Sequence, residues 1–338
     1  LMSLESDLRN GFLLYCNRTP ALAAEYLQSL AQRKRKDDES RKIMKFRGAL
    51  AQAAPAELAE FTAKALIRKR RRSKSNFHQD LDEPFDFIDH QFFPAAASQG
   101  PFYELMIHSP QHGLALIHQL VEHAVSFHSP GGRQSANTIT ISFVDSERAF
   151  PHKDTYGWSR EMSSAPSCVT SALMALEAWA HGRIDAGETI DKVLDDVIGP
   201  QGSPAAHLLV AVDLVLSHWP KTSEASVPFL ACPELVCMDR ERQLFERGVT
   251  HQNESTGAIS LESLKKRSSR SHSLYDLFAQ VAMSGPRELR ENLIARLYRV
   301  SVDLCLPAPE ANLGYPAFMA VHAINLLNPE NWRKVLVQ

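Results

Sequence analysis

Pro20-Ala21-Leu22-Ala23-Ala24-Glu25-Tyr26-Leu27 and Pro55-Ala56-Glu57-Leu58-Ala59-Glu60-Phe61-Thr62 decide the fold. At an offset of 35, Pro20 falls on Pro55, Ala24 on Ala59, Glu25 on Glu60 and Tyr26 on Phe61. Proline in a first helical turn costs no hydrogen bond, because that amide has no helical partner. Small and aromatic residues at i, i+3, i+4 spacing make a packing face. Between the two segments, Ile43, Phe46 and Leu50 fit another amphipathic helix. An offset in the thirties that spans two helices is a helical-repeat signature.

The rest of the chain repeats this punctuation. Ser109-Pro110 and Ser203-Pro204 each place serine as an N-cap and proline at the first helical position. Further helices are expected at about 166–181, 186–197, 270–283, 286–304 and 315–327, the fourth with the stripe Leu289, Leu293, Leu297, Val300. Strand alternation occurs at Thr138-Ile139-Thr140-Ile141-Ser142-Phe143, with Tyr156 to Trp158 as the expected partner. The expected fold is therefore mainly α: an irregular helical-repeat, solenoid-like array with a small inserted β-hairpin near 137–158. Its expected divisions are N-terminal helical repeats over 1–75, an irregular linker over 76–100 and a helical array over 101–338. Asn328-Pro329 reads as a new helix start, so the array is expected to continue beyond the chain as part of a larger protein.

Composition excludes several classes. Of 338 residues, 44% are hydrophobic and 22% charged, and 37 basic against 39 acidic residues leave a net charge of −2. That is neither a globally basic nucleic-acid binder nor a disordered chain. No run approaches the roughly 18–20 apolar residues that span a bilayer, so no membrane partner is expected. No secretory signal follows Met2. The five cysteines, Cys16, Cys168, Cys232, Cys237 and Cys305, include no Cys-x-x-Cys, which points to a reducing cytoplasm rather than a disulfide framework. Cys232 and Cys237 lack the second pair that structural zinc needs.

Catalytic motifs are missing from the sequence. It has no phosphate-binding Gly-x-x-x-x-Gly-Lys, no Gly-x-Gly-x-x-Gly, no His-Glu-x-x-His and no Gly-x-Ser-x-Gly. Gly199-Pro200-Gln201-Gly202 reads as a helix stop followed by a helix start. No catalytic residue and no cofactor is assigned to this chain. Two weaker chemistries stand as alternatives. His78, Asp82, Asp86 and His90, within an acidic stretch at 78–90, would serve a metal-dependent hydrolase. The basic run 68–74, with Arg68, Lys69, Arg70, Arg71 and Arg72, would meet a polyanion such as nucleic acid.

Ser171-Ala172-Leu173-Met174-Ala175-Leu176-Glu177-Ala178-Trp179, Gly202-Ser203-Pro204-Ala205-Ala206 leading into Val212-Asp213-Leu214, and the run from Phe318 to Trp332 carry a resemblance. Together they resemble the helical-repeat region of large bacterial STAND-like ATP-binding proteins of anti-phage defence. The resemblance implies a sensor or scaffold segment that binds a protein partner along a helical surface. ATP would belong to the parent protein. The first surfaces to consider are the basic run Arg68, Lys69, Arg70, Arg71, Arg72 and the hairpin around Phe143 and Trp158.

Overall fold

The computed structural model describes residues 2–32, 43–68, 84–86, 92–128, 137–162, 165–248, 264, 266–304 and 312–332. It is mainly α-helical with one small antiparallel hairpin. No helix among these residues is long and apolar enough to cross a membrane. The chain divides into two compact units. The first takes its described residues from 1–132 and 158–186, and the second from 133–157, 187–252 and 262–338. The division expected at 76–100 is not where these units part, since both of its flanks lie in the first unit.

The first unit contains α1 (Met2–Tyr15), α2 (Pro20–Gln32), α3 (Arg47–Ala53), α4 (Pro55–Leu66), α5 (Phe102–His108), α6 (Pro110–His128) and α7 (Ser167–Asp185). The proline-led helices pack on each other as α2 against α4. Their buried faces also repeat at the sequence offset: Ala23, Leu27 and Leu30 on α2 answer Leu58, Thr62 and Ala65 on α4. The helix expected through Ile43, Phe46 and Leu50 is interrupted. Phe46 closes a turn onto the Ile43 carbonyl at 2.9 Å, and α3 starts after it.

Ser109 ends α5 and begins α6, its carbonyl accepting from the amides of His112 and Gly113 at 3.1 Å each. Gly113 allows α6 to approach α5 closely. A Cβ there would lie 2.6 Å from Met106 Cγ and 2.9 Å from its backbone nitrogen. Every residue of α7 from Cys168 to His181 is buried. Inside it, Glu177 pairs with the equally buried Arg160. The Ala96 amide donates to Ser171 Oγ at 3.2 Å, which anchors the irregular segment around the buried Ala95–Ala97.

The second unit opens with β1 (Thr138–Ser142) and β2 (Glu147–Pro151), which pair from Thr138 opposite Pro151 to Ser142 opposite Glu147. Tyr156 to Trp158 are therefore not the partner strand. They lie in a 3₁₀ segment over Lys153–Arg160. Ile139, Ile141 and Phe150 turn into the core, as period-2 alternation requires. The helices that follow are α8 (Ile190–Ile198), α9 (Leu208–Ser217), α10 (Ser223–Leu230), α11 (Pro233–Gly248), α12 (Leu274–Ser284), α13 (Arg287–Asp303) and α14 (Pro316–Leu327). Gly199 and Gly202, both at positive φ, stop α8 and turn the chain toward α9 as expected. Ser203 does not cap a helix. Its hydroxyl closes the turn onto the Pro200 carbonyl at 2.8 Å, and a 3₁₀ turn over Ala205–His207 leads into α9. Asn328 and Pro329 likewise open only a 3₁₀ turn, Pro329–Asn331.

Among the described residues, Arg242 of α11 is the largest fully buried side chain. It bonds Asp239 Oδ1 at 3.0 Å and Glu246 Oε2 at 2.6 Å. It also donates to the carbonyls of Ser269 at 2.7 Å and His272 at 2.8 Å. Burial alone lowers its pKa, but Asp239 and Glu246 outweigh burial and raise it, so the guanidinium stays charged. Asp239 Oδ2 accepts from the Leu274 amide at 2.7 Å, fixing the first turn of α12.

Removing one partner of a buried charge network strands the others without solvent. Arg242→Met is expected to cost about 3–5 kcal/mol, measured by urea denaturation. Gly113→Ala is expected to cost about 1–3 kcal/mol through overpacking against the Met106 backbone. Gly182→Ala, where a Cβ meets nothing within 4 Å, should instead stabilise by about 0.5–1 kcal/mol through helix propensity.

Candidate binding groove at the hairpin of the second unit

Two cavities flank the turn that joins β1 to β2. Both are lined by Phe143, Val144, Pro228, Asn292 and Arg296. The larger, about 720 Å³, runs along β1 beneath α13. Thr138, Thr140 and Ser142 form one wall, and Arg296, Arg299, Val300 and Asp303 form the other. The smaller, about 520 Å³, lies toward α8 and carries Asp191, Asp195 and Glu224. Both volumes fall in the range of ligand sites.

The strand register determines which backbone groups face the larger cavity. The Phe143 amide donates to the Ser146 carbonyl at 2.8 Å, which makes Phe143 and Ser146 a hydrogen-bonded pair. Alternation then puts Thr140 and Ser142 in non-hydrogen-bonded pairs, with their N–H and C=O groups at the free edge of β1. The two carbonyls are occupied. Arg296 Nη1 donates to the Ser142 oxygen at 2.9 Å, and Cys232 Sγ donates to the Thr140 oxygen at 3.6 Å. The two amides bond to nothing among the described residues, and neither does the exposed Arg299. Glu234 is engaged by Lys153 at 2.9 Å.

The hairpin turn is itself held firmly. Phe143 packs edge-on against Phe229, with centroids 5.9 Å apart at 90°. Arg148 lies over the Phe143 and Phe150 rings at 5.8 and 5.6 Å and bonds the Gly199 carbonyl. Burial lowers the pKa of Arg148, and Asp195 opposes that shift. Such cation–π contacts contribute about 0.5–1 kcal/mol each at partly exposed sites.

Of the residues singled out from sequence, Phe143 lines both cavities. Trp158, expected beside Phe143 at the hairpin, is only 3% exposed. Arg68 is exposed, its amide bonded to the Pro84 carbonyl at 3.2 Å. Asp86 is exposed as well, and its amide bonds the Leu66 carbonyl at 2.8 Å. Lys69, Arg70, Arg71, Arg72, His78, Asp82 and His90 lie outside the described residues. Thr140, Ser142, Arg296 and Arg299 were not singled out. Their only sequence signals are the hydroxyls on the polar side of the strand alternation and two arginines three apart beside an apolar stripe.

Compared with models of known protein families and with curated proteins, the chain matches none.

Cys232 and Cys237 have pKa values pushed up to about 12, chiefly by burial. Both therefore hold their protons near neutrality, and each donates to a carbonyl, Cys237 to that of Leu313 at 3.3 Å. Iodoacetamide at pH 8 should spare both in the folded chain and label both in urea. Unfolded thiols ionise near the ordinary 9.0 while the folded ones stay protonated. Their contribution to stability is thus complete below pH 9 and lost as pH rises from 9 toward 12. A Cys232→Ala, Cys237→Ala double variant should lose less stability across that window than the parent chain, as read by urea denaturation at successive pH values.

Proposed function

We propose that this chain is a binding protein whose partner is a polypeptide, held in extended form along β1 beneath α13. The observation that carries this reading is the edge of β1, where the Thr140 and Ser142 amides point away from β2 without acceptors among the described residues, in residues that line a cavity of about 720 Å³. Amides two residues apart on a strand repeat at roughly 6.5–7 Å. An extended polypeptide presents its carbonyls at that same spacing, whereas a compact ligand does not. The second cavity continues the surface past Phe143 and gives a bound segment somewhere to run. The helical wall supplied by α13 fits the partner binding along a helical surface expected of a sensor or scaffold segment. The resemblance to STAND-like defence proteins supports placing that segment within a larger protein.

Selection of displayed random dodecapeptides on the full chain tests the reading. Peptides should be recovered whose binding is lost in Thr140→Trp, which fills the groove from an exposed position. Binding should persist in Arg287→Ala, a substitution on the exposed start of α13. Recovery of no peptide, or only of peptides indifferent to Thr140→Trp, would overturn the proposal.

A further inference from the structure

The hydrogen-bonding capacity of the groove is one-sided. Its strand carbonyls are taken by Arg296 and Cys232. What the β1 edge still offers is N–H groups at Thr140 and Ser142 and the hydroxyls of the same two exposed residues, which have no partner among the described residues. From α13 come two guanidinium groups three residues apart. Arg296 spends one N–H on Ser142 and another on Asn292 Oδ1 at 3.3 Å, which leaves three of its five donors. Arg299 spends none among the described residues.

Two carboxylates line the same cavity. Glu234 is neutralised by Lys153. Asp303, four residues beyond Arg299, offsets one of the two arginines, and with Glu234 taken by Lys153 a single positive charge remains in surplus. The adjoining cavity has the opposite character: Asp145, Asp191, Asp195 and Glu224 outnumber Arg148 and Arg296. A surface with unused donors and one surplus positive charge favours an anionic acceptor. A side-chain carboxylate on an extended segment can reach arginine while the main chain stays near the strand.

We propose that the groove between β1 and α13 reads an acidic segment, seating a partner's side-chain carboxylate on Arg299 and Arg296 while its main-chain carbonyls accept from the Thr140 and Ser142 amides. This deepens the polypeptide-binding reading and rests on it. The acidic neighbouring cavity repels the same carboxylates and so confines the acidic part of the segment to the β1 side.

Three fluorescein-labelled nonapeptides alternating valine with glutamate, glutamine or lysine test the inference, with fluorescence anisotropy on the full chain as readout. The glutamate peptide is expected to bind about 10-fold or more tightly than the glutamine peptide, and to weaken as salt is raised. Arg299→Glu should abolish that preference and favour the lysine peptide. Arg299→Ala, which removes the charge without adding one, should bring the glutamate and glutamine peptides close together. Equal affinity of those two peptides for the parent chain would overturn the inference, as would a glutamate preference that survives both variants. If all three peptides bind alike and Thr140→Trp abolishes their binding, charge reading fails while the polypeptide-binding reading stands. If neither these peptides nor any displayed dodecapeptide binds, both fail.

Discussion

The buried guanidinium of Arg242 is the constraint on which the second unit is organised. A charge taken out of water must be matched closely or it unfolds its surroundings. Here the match comes from four directions. Asp239 and Glu246 lie on its own helix, one turn to either side, and two carbonyls come from the 268–273 turn. The turn cannot move without stranding the charge, and α12 follows it directly with a Ser273–Asp276 capping box. A hydrophobic side chain at position 242 would satisfy α11 alone. The arginine instead joins α11 to the 268–273 turn and, through that turn, to the start of α12.

That constraint reaches the groove through α11. Asp239 Oδ1 accepts from Tyr156 at 2.9 Å, which ties the segment after β2 to the middle of the helix. At the helix start, Glu234 takes Lys153, and Cys232 just ahead of it meets the Thr140 carbonyl. The hairpin is thus fastened to α11 at successive points, and its edge is presented to α13 in a fixed register. An isolated two-stranded hairpin is only marginally stable in water. This one persists because Ile139, Ile141 and Phe150 are buried and because its exit is bonded to a helix that cannot shift.

Much of the architecture was legible in the sequence, for local reasons. Proline at the starts of α2 and α4, serine before proline at Ser109 and the leucine spacing of α13 are signals written within a few residues, and each marks a helix near its observed bounds, whereas after Ser203-Pro204 the helix starts only at Leu208. The strand alternation at 138–143 identified β1 in the same way. The partner strand was missed because Glu147-Arg148-Ala149-Phe150-Pro151 carries little strand patterning, and pairing rather than propensity makes it a strand. α11 was missed for a different reason. Its sequence, with Asp239, Arg242, Gln243 and Glu246 on buried or nearly buried positions, reads as polar, while Arg242 pairs with both carboxylates and Arg270 from the following turn also reaches Glu246. Hydrophobic periodicity cannot register a face that is buried by ion pairing. The groove was legible only at Phe143, since the free amides of Thr140 and Ser142 follow from strand register, which depends on both strands.

The edge of β1 also bears on why the groove has its particular chemistry. An unpaired strand edge is a hazard, because any extended chain can pair with it. Soluble proteins blunt such edges with charged side chains, and Arg296 over the Ser142 carbonyl does that here. The blunting is selective. Arginine and a thiol both donate, so they silence the acceptors of the edge and leave its donors exposed. A second copy of the same strand needs both donors and acceptors to pair along its length, and it meets a guanidinium where it needs an amide's oxygen partner. An acidic segment brings the same main-chain N–H groups to those occupied carbonyls, but its side-chain carboxylates have a guanidinium to meet. The device that protects the edge from indiscriminate pairing is therefore the one that gives the groove its preference.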